Sequence, residues 1–355
     1  MTIIHATVAG AFLIALACQP RVQVQQAAAP APSPSAVPAQ ANLPTKVDTI
    51  APPTVRESPF SFTSGTLSLP GTLTLPTNAR RGIPVALIIA GSGHTDRNGN
   101  SPGALRQMNN SNLYAQLAWR LAERGIATLR YDKRGLGESL SKIDIAATSI
   151  DDFIGDVRAG ADALTRDGRF GRVYLVGHSE GAGLALQAAN RGTKVAGVAM
   201  LAGAGRNILV IMREQLAKQL SGAEMTKWDT AVVRFQRGED PGDVNPALKG
   251  FFQPQMRKFM TTWIAYEPAE EMARVGVPVL IVHGALDVQV SEADAQALMA
   301  AQPAAKLVII PKANHVFRTA SSTDMVAQLA LYRDPTIPIV PELASAVGDW
   351  ILTGK

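Results

Sequence analysis

From Ile83 onward the chain alternates between two patterns. Short, mostly apolar runs occupy residues 85–90 (VALIIA), 126–131, 173–176, 195–201, 279–282 and 307–310. Between them lie segments whose apolar residues recur every three or four positions. Leu113, Leu117 and Leu121 share one face of a helix predicted over 113–124. Phe153, Val157, Ala161 and Leu164 do so over 150–166, with Asp151 or Asp152 near its start. Residues 183–190 and 293–301 read as further helices, and Leu343, Val347 and Trp350 mark a last amphipathic one. Apolar strands separated by helices predict an α/β fold, a mostly parallel sheet covered on both faces. Upstream, residues 60–68 and 72–75 read as an edge hairpin turning at Pro70-Gly71.

Two stretches break the alternation. Residues 207–274 carry helical spacing without a clear strand, and are expected to form an inserted helical cap within a domain spanning 58–355. At the other end, residues 2–17 are an apolar run too short for a bilayer, which needs about 20 residues. The run fits a signal peptide over 1–17. Ala15-Leu16-Ala17 suits an ordinary signal peptidase. With Cys18 it also resembles a lipobox, in which the cysteine is lipidated, although Ala15 stands where Leu is usual and the start lacks Lys and Arg. An Ala/Pro-rich stretch over 18–57 then reads as a tether. The expectation is an exported protein, periplasmic or in the outer envelope, anchored to the membrane through Cys18.

Composition narrows the functional classes. Hydrophobic residues form 46% of 355, enough for a large core. The net charge of +5 comes from scattered Lys and Arg with no basic block, which argues against a nucleic-acid partner. Cys18 is the single cysteine, and the histidines lack metal-ligand spacing, so no metal and no cofactor is expected.

The chemistry gathers at strand ends. Gly177-His178-Ser179-Glu180-Gly181 follows one apolar run and precedes a helix. A sharp strand-to-helix turn exposes the Ser179 hydroxyl, and small flanking residues relieve crowding there. Asp287 follows the run 279–282, and His315 follows 307–310. Ser179, Asp287 and His315 therefore stand in the chain order of nucleophile, acid and base. Asp294 and Glu292 are weaker rivals to Asp287, because they lie on the next predicted helix. The oxyanion hole is expected from the backbone amides of Glu180 and Ser92. Gly93 lets the backbone approach a substrate, and Arg97 could bind a substrate carboxylate, although a self-bonded Asp96-Arg97 loop is the blander reading.

These motifs resemble the α/β-hydrolase superfamily, in its bacterial esterase and serine-aminopeptidase-like branch. The resemblance rests on residues 91–100 (GSGHTDRNGN), 131–139 (YDKRGLGES), the Ser179 turn, 283–287 (HGALD) and Asn314-His315. It implies a cofactor-free hydrolase acting on a small-molecule ester or acyl substrate. Two alternatives stay open. A peptidase or amidase could use the same three residues, with Glu180, Glu267, Glu270 or Glu271 holding a substrate amine. A non-catalytic envelope lipoprotein could use the fold only for binding.

Overall fold

The computed structural model describes residues 46–354. The expected signal peptide, Cys18 and most of the tether lie outside the described residues. Eight strands form one sheet in the order β1-β2-β4-β3-β5-β6-β7-β8. β1 (Val55–Ser64) and β2 (Leu67–Pro76) form an antiparallel hairpin, and β2 runs antiparallel to β4 (Ala127–Tyr131). The rest is parallel: β3 (Ile83–Ile89), β5 (Phe170–His178), β6 (Gly197–Leu201), β7 (Val279–Gly284) and β8 (Lys306–Ile310). This is the α/β-hydrolase architecture.

Strand β3 shows why its run is apolar throughout. Val85, Leu87 and Ile89 pack into one core, and Ala86 and Ile88 into the core on the opposite face. The first core holds α2 (Ile150–Arg166) and α3 (Glu180–Asn190), through residues such as Val157, Leu164 and Leu186. The second holds α1 (Leu113–Glu123) and the C-terminal helix, through Leu117, Leu121, Val347 and Trp350.

Two expectations need correction, and one helix is added to them. The hairpin turns at Gly65-Thr66, since Ser64 pairs with Leu67, while Pro70-Gly71 lies inside β2. Gly71 is needed there because a Cβ would stand 2.7 Å from the Arg130 carbonyl oxygen of β4. Order also begins before Ser58. β1 starts at Val55, Ala51 packs beside Val55 and Trp119, and the Val47 amide bonds the Thr336 carbonyl at 2.8 Å. The last stretch assigned to the tether is thus docked on the domain. Finally, a helix not anticipated from the sequence joins β8 to the C-terminal helix, as set out below.

Between β6 and β7 the chain forms α4 (Ile208–Leu216), α5 (Gly222–Gln236), α6 (Arg257–Ile264) and α7 (Pro268–Arg274). Trp228, Phe235, Phe251 and Phe252 interlock at its centre, with ring centroids 4.9–6.3 Å apart. The Asn207 amide closes the base of this insertion by donating to the Ile264 carbonyl at 2.8 Å and the Tyr266 carbonyl at 3.3 Å. Then come α8 (Glu292–Ala301), the unanticipated α9 (Met325–Arg333) and α10 (Pro341–Thr353).

Candidate active site

Ser179 sits between β5 and α3 with φ +53° and ψ −121°, a backbone conformation that L residues seldom adopt. Its amide is held by the Leu201 carbonyl at 2.8 Å. The two glycines of the motif have specific tasks. A Cβ on Gly177 would stand 2.1 Å from the Gly181 carbonyl oxygen, and one on Gly181 would stand 2.3 Å from that of Ile89. The turn closes this tightly only with hydrogen at both positions.

Asp287 and His315 occupy the loops beyond β7 and β8, at the same carboxyl edge of the sheet. His315 Nδ1 lies 2.7 Å from Asp287 Oδ2. The other carboxylate oxygen accepts the amides of Gln289 at 2.8 Å and Val290 at 3.0 Å. Burial alone would raise the Asp287 pKa. The facing His315 ring and these amides outweigh it and hold the group below its ordinary value, hence ionised. Ser179 and His315 line one cavity of about 210 Å³, together with Ser92 and Gly93. The Ser179 hydroxyl is not hydrogen-bonded to His315 among the described residues. In resting enzymes that contact is often long and tightens when substrate binds.

Asp294 has another task. It caps α8 with Ser291 and binds Arg206 at 2.9 Å, which leaves it no part beside His315. Arg97 is likewise corrected. Its guanidinium is tied to Asp132 at 2.6 Å and Glu138 at 2.9 Å, and it does not line the cavity. Asp96 Oδ1 accepts the amides of Asn98 and Asn100, so this loop is self-bonded. His283, fully buried, donates from Nε2 to the Val290 carbonyl at 3.0 Å.

The expected oxyanion donors are available. Neither the Ser92 nor the Glu180 amide has a protein acceptor among the described residues. Both segments are braced by residues that sequence reasoning left as scaffold or did not single out. The Gly91 amide donates to the Tyr114 hydroxyl at 2.8 Å, and that hydroxyl lies 3.0 Å from His178 Nδ1. His178 Nε2 lies 2.9 Å from the His315 carbonyl oxygen. A carbonyl only accepts, so Nε2 carries the proton and Nδ1 accepts from Tyr114. Burial, with the His315 ring nearby, pushes His178 down to about 3, so it stays neutral. On the other side of Ser179, the Lys133 ammonium bridges the Gly91 carbonyl and the Glu180 carboxylate. Lys133 was visible only as part of a charged turn after β4, and Tyr114 as an ordinary helix residue.

Fold and site together define an α/β-hydrolase with a serine presented on a strand-to-helix turn. Residues 106–318 match the family described as serine aminopeptidase, S33, and the chain belongs to that family. It is 27% identical over 258 residues to esterase EstD of Thermotoga maritima, across 70% of this chain. It spans 58% of that relative's length. Among solved structures, an esterase from Pyrococcus furiosus superposes with a TM-score of 0.55 at 16% identity, covering 88% of this chain and 97% of that one. Est1E from Butyrivibrio proteoclasticus, with ferulic acid bound, gives 0.52 at 18% identity, covering 83% and 98%. Proline iminopeptidase from Mycobacterium smegmatis gives 0.52 at 16% identity, covering 84% and 100%. At these identities the likeness is one of fold.

Proposed function

We infer that this chain is a serine hydrolase that cleaves carboxylic esters through an acyl-enzyme on Ser179. The observation that carries this is the bond from His315 Nδ1 to the ionised Asp287, with His315 and Ser179 on one cavity wall. Nδ1 donates to Asp287, which leaves Nε2 as the basic nitrogen. His315 takes the Ser179 proton as the hydroxyl attacks the ester carbonyl. The Ser92 and Glu180 amides receive the oxyanion. His315 then returns its proton to the leaving alcohol, and water repeats the sequence to release the acid. The kinship with an esterase supports this reading. Ser179→Ala should lower kcat on a short-chain aryl ester by orders of magnitude without unfolding the protein. A fluorophosphonate probe should label the wild type and not the variant. Undiminished turnover by the variant would overturn the reading.

The aminopeptidase alternative is less well supported. It needs an acid free to hold an amine, and the candidates are engaged or remote. Glu180 binds Lys133, Glu267 binds Asn207, and Glu271 binds Asn190 and Arg274. Glu270 is exposed and lines neither cavity at Ser179. Comparing an aminoacyl anilide with an aryl ester of equal size decides between them. We also propose that the protein is exported and lipid-anchored at Cys18. Unchanged membrane fractionation of Cys18→Ala would overturn the anchor.

A further inference from the structure

We propose that Ser179 divides two chambers of unequal size and character, and that they sort the two halves of the ester. A small apolar chamber under the helical insertion takes a short acyl group. A larger, uncharged, hydrogen-bonding chamber beside His315 takes a bulky neutral alcohol. This deepens the esterase reading and rests on it.

Both chambers touch Ser179, Ser92 and Gln289. The smaller has a volume of about 60 Å³ and reaches the insertion through Ile208, Ile211, Met212 and Trp263. The larger, of about 210 Å³, contains His315 and is walled by Leu105, Met108, Asn109, Ser111 and Tyr332. His315 lines only the second.

The geometry of a tetrahedral intermediate assigns the two. Its carbon carries four substituents. One is Ser179 Oγ, and one is the oxyanion, aimed at the Ser92 and Glu180 amides. The leaving oxygen must lie within reach of His315, because His315 returns the proton as the carbon–oxygen bond breaks. The alcohol is therefore drawn to the chamber that holds His315. The acyl chain is left with the remaining direction, toward the insertion.

Charge sets the substrate class. The ionisable side chains lining the larger chamber are His94, His178, His315, Tyr114 and Tyr332, with no Asp, Glu, Lys or Arg, and burial keeps both tyrosines protonated. His178 is held neutral. The smaller chamber touches two charged residues, both already paired. Glu180 is bound to Lys133, and Arg206 to Asp294 and Glu214. An ionised substrate group would be desolvated with no partner waiting for it, which is strongly unfavourable. Ser111 Oγ is bound to the Gly99 carbonyl and Gln289 Nε2 to the Tyr332 hydroxyl. The polar groups of Ser92 and Asn109 and the Gln289 side-chain oxygen on this wall favour an alcohol with hydrogen-bonding groups of its own.

Two ester series test this, one lengthening the acyl group on a fixed alcohol and one enlarging the alcohol on a fixed acetate. Each is run with wild type, Ile208→Trp and Met108→Trp. Both positions are only partly buried, so the larger ring can be accommodated without disrupting the core. Wild type should lose kcat/KM with each added acyl methylene and tolerate bulky alcohols. Ile208→Trp should penalise longer acyl groups by a further factor of about ten, the discrimination one methylene commonly carries, with the alcohol ranking unchanged. Met108→Trp should do the converse. The opposite pairing, or both variants moving both series alike, overturns the assignment. Faster cleavage of a choline ester than of its neutral isostere overturns the neutral class. Wild type that cleaves no ester and takes no fluorophosphonate label overturns the esterase reading itself.

Discussion

The Lys133 ammonium lies 2.8 Å from the Glu180 carboxylate, and both side chains are almost wholly buried, at 3% and 4% exposure. The same ammonium donates to the Gly91 carbonyl at 2.7 Å. Glu180 follows Ser179, and Gly91 opens the loop that presents Ser92. One cation thus fixes the spacing of the two segments whose amides would meet the oxyanion. Lys133→Met strands a buried carboxylate, which should cost about 3–5 kcal/mol of stability in urea unfolding. Pairing it with Glu180→Leu removes both charges and should recover most of that loss. The kcat for an aryl ester should stay depressed in the pair, because the Gly91 carbonyl remains untethered. Wild-type kcat in the double variant would show that the tether has no share in positioning.

Tyr114 braces the opposite side of Gly91. Its hydroxyl accepts from the Gly91 amide and donates to His178 Nδ1. Tyr114→Phe keeps the ring and leaves two buried polar groups unpaired, at about 1–3 kcal/mol each. The expected signature is a fall in kcat with KM near its wild-type value, since the oxyanion forms only after substrate binds. Steady-state kinetics across a substrate range checks it. A rise in KM alone would assign Tyr114 to substrate binding instead.

His178 makes stability depend on pH. In the fold it stays neutral down to about 3, because burial and the His315 ring disfavour its charged form. An unfolded histidine takes up its proton below about pH 6.5. Between these values the unfolded chain holds the extra proton. The contribution is therefore complete above about pH 6.5 and is lost on acidification, by up to about 1.4 kcal/mol per pH unit. Asp287, held below its ordinary value, acts only in more acidic solution. His178→Gln should flatten the stability profile between pH 6.5 and 4.5 by close to one proton. Urea unfolding of both proteins over that window measures the difference, and parallel profiles would refute it.

The strands, and the order in which Ser179, Asp287 and His315 meet them, were legible because each chemical group lies just beyond an apolar run. What escaped sequence reasoning was set by distant neighbours. Gly71 reads as a turn residue, yet it is glycine because the Arg130 carbonyl of another strand approaches it. Helix α9 was missed because its buried face mixes Gln328 with Leu329 and Tyr332, which blurs the apolar period. Arg97 carries a charge near the site in sequence, but Asp132 and Glu138 draw it into the scaffold. Tyr114 and Lys133 act on Gly91 from a helix and a strand end, a convergence that only tertiary packing creates.

Two buried carboxylates near the site can be separated by function. Asp287 receives His315 Nδ1 at 2.7 Å, whereas Asp294 receives Arg206 at 2.9 Å and caps α8. Asp287→Asn keeps the shape but cannot hold the imidazole in the tautomer that leaves Nε2 basic, nor stabilise the imidazolium that forms. Its kcat should fall by about 10⁴, with a small change in Tm. Asp294→Asn should show the reverse. It removes one of two acidic partners of Arg206, and Glu214 remains at 2.6 Å. Because Arg206 is 26% exposed and keeps that partner, the stability loss should stay at or below about 3 kcal/mol. Assayed well below both melting temperatures, Asp294→Asn should retain kcat within a few-fold of wild type. Loss of kcat in Asp294→Asn to the level of Asp287→Asn, with its fold intact by circular dichroism, would transfer the acid role to the helix.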